Sequence, residues 1–154
     1  LTVAERARPT SPAELPAGVW RAARAVRFSD CDPAGIVYTP RFVDMLNGVV
    51  EDFFPSALGL DYHGLIRDGI GLGYAKLECD FFRPGFMGDT LSVAVLVPRV
   101  GGASADFILH VHRGEEALLR GVLVMVTTSL STHGAIALPT PLRDALTAYQ
   151  DRCR

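Results

Sequence analysis

PRFVDMLNGVVEDFFPSAL, residues 40–58, decides how the rest of the chain must be arranged. Phe42, Val43, Leu46, Val49, Val50 and Phe53 recur at three- and four-residue intervals, and Met45 and Phe54 widen the stripe. That period predicts an α-helix apolar over more than half its circumference, which has to be buried on most sides. Pro40 suits the first turn, where a proline forfeits no intrahelical hydrogen bond. Pro55 is expected to end the helix.

Upstream, VWRAARAVRF (19–28) closes in an alternation, Val26 and Phe28 on one side and Arg27 on the other, which fits a first strand. Between strand and helix lies SDCDPAGIVYTPRF (29–42), whose Pro33 and Gly35 suit a turn. Downstream, GLDYHGLIRDGIG (59–71) is glycine-rich and leaves room for a short helical turn. From residue 72 the texture is β-rich: LGYAKLECDFF (72–82), DTLSVAVLVPRV (89–100), SADFILHVHR (104–113) and ALLRGVLVMVTTSL (117–130). The breaks RPGFMG, GGA and GEE are short, as between antiparallel neighbours. The tail PTPLRDALTAYQ fits either a last helix or an irregular arm.

One helix cannot cover both faces of five strands. The economical packing is α+β: a curved antiparallel five-stranded sheet wrapped around one long central helix, with a strand edge left for a second copy. At 154 residues the chain has the length of one domain and buries roughly 70% of its unfolded surface without staples. Residues 20–148 are read as that domain, and the proline-rich 1–19 as a flexible leader. A net charge of −2 gives no basic face for nucleic acid and no general attraction for anions. No apolar run is long enough to span a membrane, and residues 1–18 carry Pro9, Pro12 and Pro16 in place of a signal-peptide core. Cys31, Cys79 and Cys153 are odd in number and have no paired spacing, so free thiols in the cytoplasm are expected.

The run DCDPAGIVYTPRF followed by an apolar helix resembles the opening of the 4-hydroxybenzoyl-CoA thioesterase family of hotdog-fold enzymes. LECDFFRPGFMGDTLSV (77–93) resembles that family's next signature, an acidic strand followed by R-P and G-D, and PTPLRDAL resembles its usual ending. The resemblance covers roughly residues 20 to 148 and implies the packing argued above, with homodimers and often homotetramers. It also implies an acyl-CoA thioesterase that acts on an aromatic or other small acyl group. No cofactor and no metal are expected.

Thioester hydrolysis needs a nucleophile or base, a donor for the developing oxyanion and a channel for the pantetheine arm. The resemblance places the catalytic carboxylate at Asp32, which either attacks the carbonyl or activates a water; on composition alone Asp32 reads as a turn residue, and the matched motif reverses that. Backbone amides around Tyr38 and Thr39, at the positive end of the helix, suit the oxyanion. Gly73 and Tyr74, from the strand across the dimer, and Phe42 are expected to line the acyl pocket, with Arg99 beside the nucleotide. Two features depart from the aromatic-CoA branch of that family: Gly73 stands where it carries threonine, and VGGAS (100–104) lacks its basic cluster. Arg83, Arg99 and Arg113 are the remaining candidates for the phosphates. Asp30 reads as a capping acid, and Cys31, between two acids, as no nucleophile. Asp44 and Glu51 read as interface or solvent-facing residues, and His63 has no evident partner. His110 and His112 share one face of a strand without a third metal ligand. The competing readings are an acyl-carrier-protein thioesterase and a non-catalytic acyl-binding protein of the same fold.

Overall fold

The long helix α1 runs over Thr39–Phe53 and buries Phe42, Leu46, Val49, Val50 and Phe53, the stripe read from its period. It leaves Arg41, Asp44 and Asn47 exposed. Pro55 does not end it at once. Lacking an N–H for the Glu51 carbonyl, Pro55 widens the coil into one π-helical turn, Phe54–Leu58. The stop comes at Gly59, at φ 66, whose N–H donates to the Phe54 carbonyl. The computed structural model from which these positions come describes residues 5–154.

Around α1 curls an antiparallel sheet of β1 (Trp20–Ala25), β2 (Ile70–Phe81), β3 (Thr90–Val100), β4 (Ser104–Arg113) and β5 (Glu116–Ser129), in the order β1-β3-β4-β5-β2. Register shifts at Tyr74/Lys76, Leu96/Arg99 and Val111/His112 mark irregularities of the kind that increase strand twist. Val93, Val95, Phe107, Leu109 and Val111 are fully buried, and Leu123 and Met125 nearly so. A short helix, α2 (Tyr62–Arg67), leads into β2. The tail makes a helix, α3 (Thr140–Arg152), and not an arm. Leu142, Leu146 and Tyr149 are buried there, and the Tyr149 hydroxyl ties the helix to the sheet. It donates to the Val95 carbonyl at 2.6 Å and accepts the Trp20 N–H at 2.8 Å.

Phe28 departs from the expected alternation. Beyond Ala25 the backbone leaves the strand and turns through a 3-10 turn at Phe28–Asp30, so Phe28 points to solvent, 82% exposed, while Val26 stays buried. The stretch read as a leader touches the outer face of the sheet at several points. Leu15 is buried, Arg21 Nη2 donates to the Pro12 carbonyl at 3.3 Å, and His112 Nε2 lies 2.7 Å from the Thr10 carbonyl. No helix among the described residues is long and apolar enough to cross a membrane.

His110 and His112 share that outer face as the sequence pattern implies, their rings stacked with centroids 6.2 Å apart. His110 is only 6% exposed. Burial, and then the charges of His112, Arg120 and Arg21, push its imidazole from 6.5 down to about 4. The folded chain therefore keeps His110 neutral where the unfolded chain protonates it. Stability is full above pH 6.5 and falls as pH drops toward 4, by about 3 kcal/mol at 1.36 kcal/mol per pH unit. Urea unfolding between pH 7 and pH 4.5 checks this: the loss is expected in the wild type and is expected to shrink in His110→Leu. Equal slopes for both chains would refute the assignment.

Candidate active site

The turn ahead of α1 is built from short-range bonds that its residue types dictate. Asp30 Oδ2 accepts the Arg27 N–H at 2.8 Å, the third residue of the 3-10 turn reaching back to satisfy its N-cap. The Asp30 carbonyl accepts the Tyr38 N–H at 2.8 Å, and Cys31 faces Val37 as a bridge. At the tip, Asp32 N–H donates to Ile36 O at 3.0 Å, Gly35 N–H to Asp32 O at 2.9 Å, and Ala34 N–H to Asp32 Oδ1 at 2.8 Å. Gly35 sits at φ 79, where a side chain would be strained. The result is an Asx-type turn in which one oxygen of Asp32 is engaged. Its Oδ2 has no hydrogen-bond partner among the described residues.

The other side of this loop is anchored on residues 84–89. Val37 N–H donates to Gly85 O at 2.9 Å, and Ile36 bridges to Phe86. Asp89 holds that anchor: its Oδ2 accepts the Phe86 N–H at 2.8 Å and Arg113 Nη1 at 2.6 Å. Partial burial opposes the Asp89 charge, but these two donors outweigh it and hold the carboxyl below its usual range. Arg113 in turn donates through Nη2 to Glu116 Oε2 at 2.6 Å, and its guanidinium lies 5.2 Å from the Phe86 ring centroid. The Asp89–Arg113 pair is a site-supporting feature that reading the sequence missed; its signal was the G-D of FMGDT, which carried only the resemblance.

The first turn of α1 offers one free donor. Tyr38 N–H is engaged with Asp30, Pro40 has none, and Arg41 N–H donates to Tyr38 O at 2.7 Å. That leaves the Thr39 N–H without a partner among the described residues, at the positive end of the helix. Of the two amides expected to serve an oxyanion, Tyr38 N–H is thus engaged with a backbone carbonyl and Thr39 N–H is open. Cys31 carries a thiol pushed up by desolvation and by Asp30, Asp32 and Asp89, which disfavours a thiolate.

Beside Thr39 opens an apolar slot of about 280 Å³, walled by Val37, Thr39, Phe42, Phe81, Phe82 and Pro84, with Arg83 at its rim. A second hollow of about 360 Å³ lies across α1, between Pro40, Asp44 and Asn47 and the strand residues Tyr74 and Leu77. The structure thus gathers Asp32, Tyr38, Thr39 and Phe42 at the helix start and sets Gly73 and Tyr74 apart on β2. Burial pushes the Tyr74 phenol well up, so it stays neutral. Around Gly73 there is open space for a Cβ.

Several basic and acidic candidates are engaged elsewhere. Arg99 Nε and Nη2 grip Asp106 at 2.9 and 2.6 Å, and Nη2 also donates to Ser104 Oγ. It lies ten residues from Asp89, about 30 Å along the strand at ~3.3 Å per residue, so within one chain it does not reach the loop. His63 has a partner after all, Glu51, in an exposed pair near the C-terminal end of α1. Glu51 stands about 18 Å along the helix from Thr39 at ~1.5 Å per residue. Arg83 is the one member of the phosphate trio with no carboxylate partner among the described residues.

Comparison with known proteins places the chain in a family. The model described as the thioesterase-like superfamily matches residues 26–148. A 1,4-dihydroxy-2-naphthoyl-CoA hydrolase of Nostoc punctiforme is 26% identical over 143 residues, covering 85% of this chain and 94% of that protein. Among solved structures, a 1,4-dihydroxy-2-naphthoyl-CoA thioesterase from Synechocystis superposes with a TM-score of 0.77 at 24% identity, over 84% of this chain and 96% of that one. A gentisyl-coenzyme A thioesterase gives 0.77 at 21% identity, over 82% and 99%. These structural likenesses establish the hotdog fold.

Proposed function

We propose that this chain, which belongs to the thioesterase-like superfamily, is a thioester hydrolase that cleaves an aromatic or other small acyl-CoA to the free acid and CoA. The observation that carries the reading is the turn Asp30–Thr39, with one open carboxylate oxygen at Asp32 and one free helix-end N–H at Thr39, beside an apolar slot. The relatives named for aromatic acyl-CoA substrates support the acyl class.

In this reading Asp32 works by one of two routes. As a base it takes a proton from water; the hydroxide adds to the carbonyl carbon, and the Thr39 N–H receives the oxyanion. The C–S bond then breaks and the proton held by Asp32 goes to the departing thiolate. As a nucleophile, Asp32 adds to the carbonyl directly, expels the thiolate and leaves an anhydride for water to cleave. Phe42 and the other walls of the slot exclude bulk water, which strengthens the Thr39 contact.

A second copy of the chain completes the pocket. β2 pairs only with β5, so its twelve residues present an open edge, with Leu77 43% exposed. Pairing through that edge brings Gly73 and Tyr74 of one protomer toward the loop of the other. Three unpaired cysteines suit a reducing compartment such as the cytoplasm.

The test is free-thiol release from a panel running from hydroxybenzoyl-CoA and dihydroxynaphthoyl-CoA to short and long aliphatic esters, each also offered on acyl carrier protein. Turnover concentrated on aromatic CoA esters is expected. Turnover only on the carrier protein would replace the substrate, and none on any ester would leave a binding protein.

A further inference from the structure

The apolar slot does not end at Arg83. Phe82 and Arg83 also wall a second cavity of about 500 Å³, a size that houses a drug-sized ligand. Its other walls are Arg6, Ala7 and Pro9 of the N-terminal segment and Glu116 at the start of β5. The Arg6 guanidinium lies 5.5 Å from the Phe82 ring centroid, so segment and strand end meet face to face. Neither Arg6 nor Arg83 has a carboxylate partner among the described residues. Glu116, the one acid in the wall, is already neutralised by Arg113 at 2.6 Å. Two unpaired guanidiniums therefore face a roomy cavity that continues the slot beginning at Thr39.

A second groove that holds arginines without ion pairs fits an anion less well. Arg27 and Arg41 line a groove together with Asp30, Asp44 and Glu51, whose carboxylates offset them. In a chain of net charge −2 there is no general pull on a phosphate, so a grip has to be local.

We infer that Arg6 and Arg83 clasp the phosphates of the adenosine 3′,5′-bisphosphate end of CoA, with the N-terminal segment forming one wall of the nucleotide site. This rests on the reading of the slot as the seat of a CoA thioester. Planar guanidiniums match phosphate oxygens in pairs, and the Phe82 ring under Arg6 positions that guanidinium at the cavity wall. The clasp replaces the basic cluster absent at residues 100–104, and it makes residues 6–9 part of substrate recognition.

Calorimetric titration of the full chain with adenosine 3′,5′-bisphosphate, with CoA and with phosphopantetheine tests the clasp without relying on turnover. The bisphosphate is expected to bind, with Kd rising about tenfold in Arg83→Ala and in Arg6→Ala, as for the loss of one charged hydrogen bond. In parallel, the preference for acyl-CoA over acyl-pantetheine, read as a ratio of kcat/KM, is expected to fall about tenfold in each variant through KM. Wild-type chain that does not bind the bisphosphate, or variants that bind it unchanged, would overturn the clasp. Phosphopantetheine binding as tightly as CoA would do the same and point to a carrier-protein phosphodiester. A wild type that hydrolyses no thioester refutes the thioesterase reading separately, since the bisphosphate titration still reports on the cavity.

Discussion

Asp32→Asn is expected to lower kcat for the preferred acyl-CoA by ~10²–10⁴-fold, the range for a lost acid–base group, with the fold intact. Asparagine keeps an oxygen for the Ala34 N–H, so the turn, the Gly35 conformation and the Thr39 position should persist. What asparagine lacks is the ability to take a proton from water or to attack a carbonyl. At 1.36 kcal/mol per tenfold the loss is about 3–5 kcal/mol of barrier. Single-turnover thiol release, alongside urea unfolding of the same sample, separates chemistry from folding. Activity within tenfold of wild type at unchanged stability would reduce Asp32 to a turn residue.

Phe53→Ala should produce the largest loss of stability, about 3–5 kcal/mol, the range for truncating a fully buried phenylalanine. Phe53 has no solvent exposure. Its ring meets Trp20, Phe107 and Tyr149 edge to face, at centroid distances of 5.5, 6.0 and 4.7 Å. One ring thus joins β1, β4 and α3 to the end of α1, and removing it opens a cavity touching all four elements. Against a total stability of about 5–15 kcal/mol, such a loss leaves the chain marginal. Chemical denaturation at pH 7 measures it, with Phe28→Ala, at an exposed position, expected within ~0.5 kcal/mol of wild type. A loss under about 1.5 kcal/mol in Phe53→Ala would mean that the neighbouring rings collapse into the space.

Where the sequence was legible, the signal was local. Leu46 and Phe53 announce a buried face because helical period and burial coincide, and the four strands β2 to β5 stand out because short breaks separate β-rich runs. The same habit misled at Phe28, where an alternating pattern ran on past the strand into a turn closed by Asp30 reaching back to Arg27. It also misjudged Pro55, whose missing N–H the coil absorbs in a wider turn ending at Gly59. The turn ahead of α1 was half legible. Asp32 and Thr39 belong to a recognisable run, but Tyr38 N–H is taken by a carbonyl eight residues upstream, which no side-chain pattern records.

By itself, then, the sequence determined the elements, the buried face of α1 and the turn that carries Asp32, because each depends on residues within a few positions of one another. Only the tertiary structure decided how the charged groups are shared out. Arg99 and Arg113 are bound to Asp106 and Asp89, Glu51 holds His63, and Arg6 and Arg83 are left facing a cavity. Such pairings depend on which side chains the strand register and the crossing N-terminal segment bring within about 3 Å, and that distance is set by packing between residues far apart in the chain.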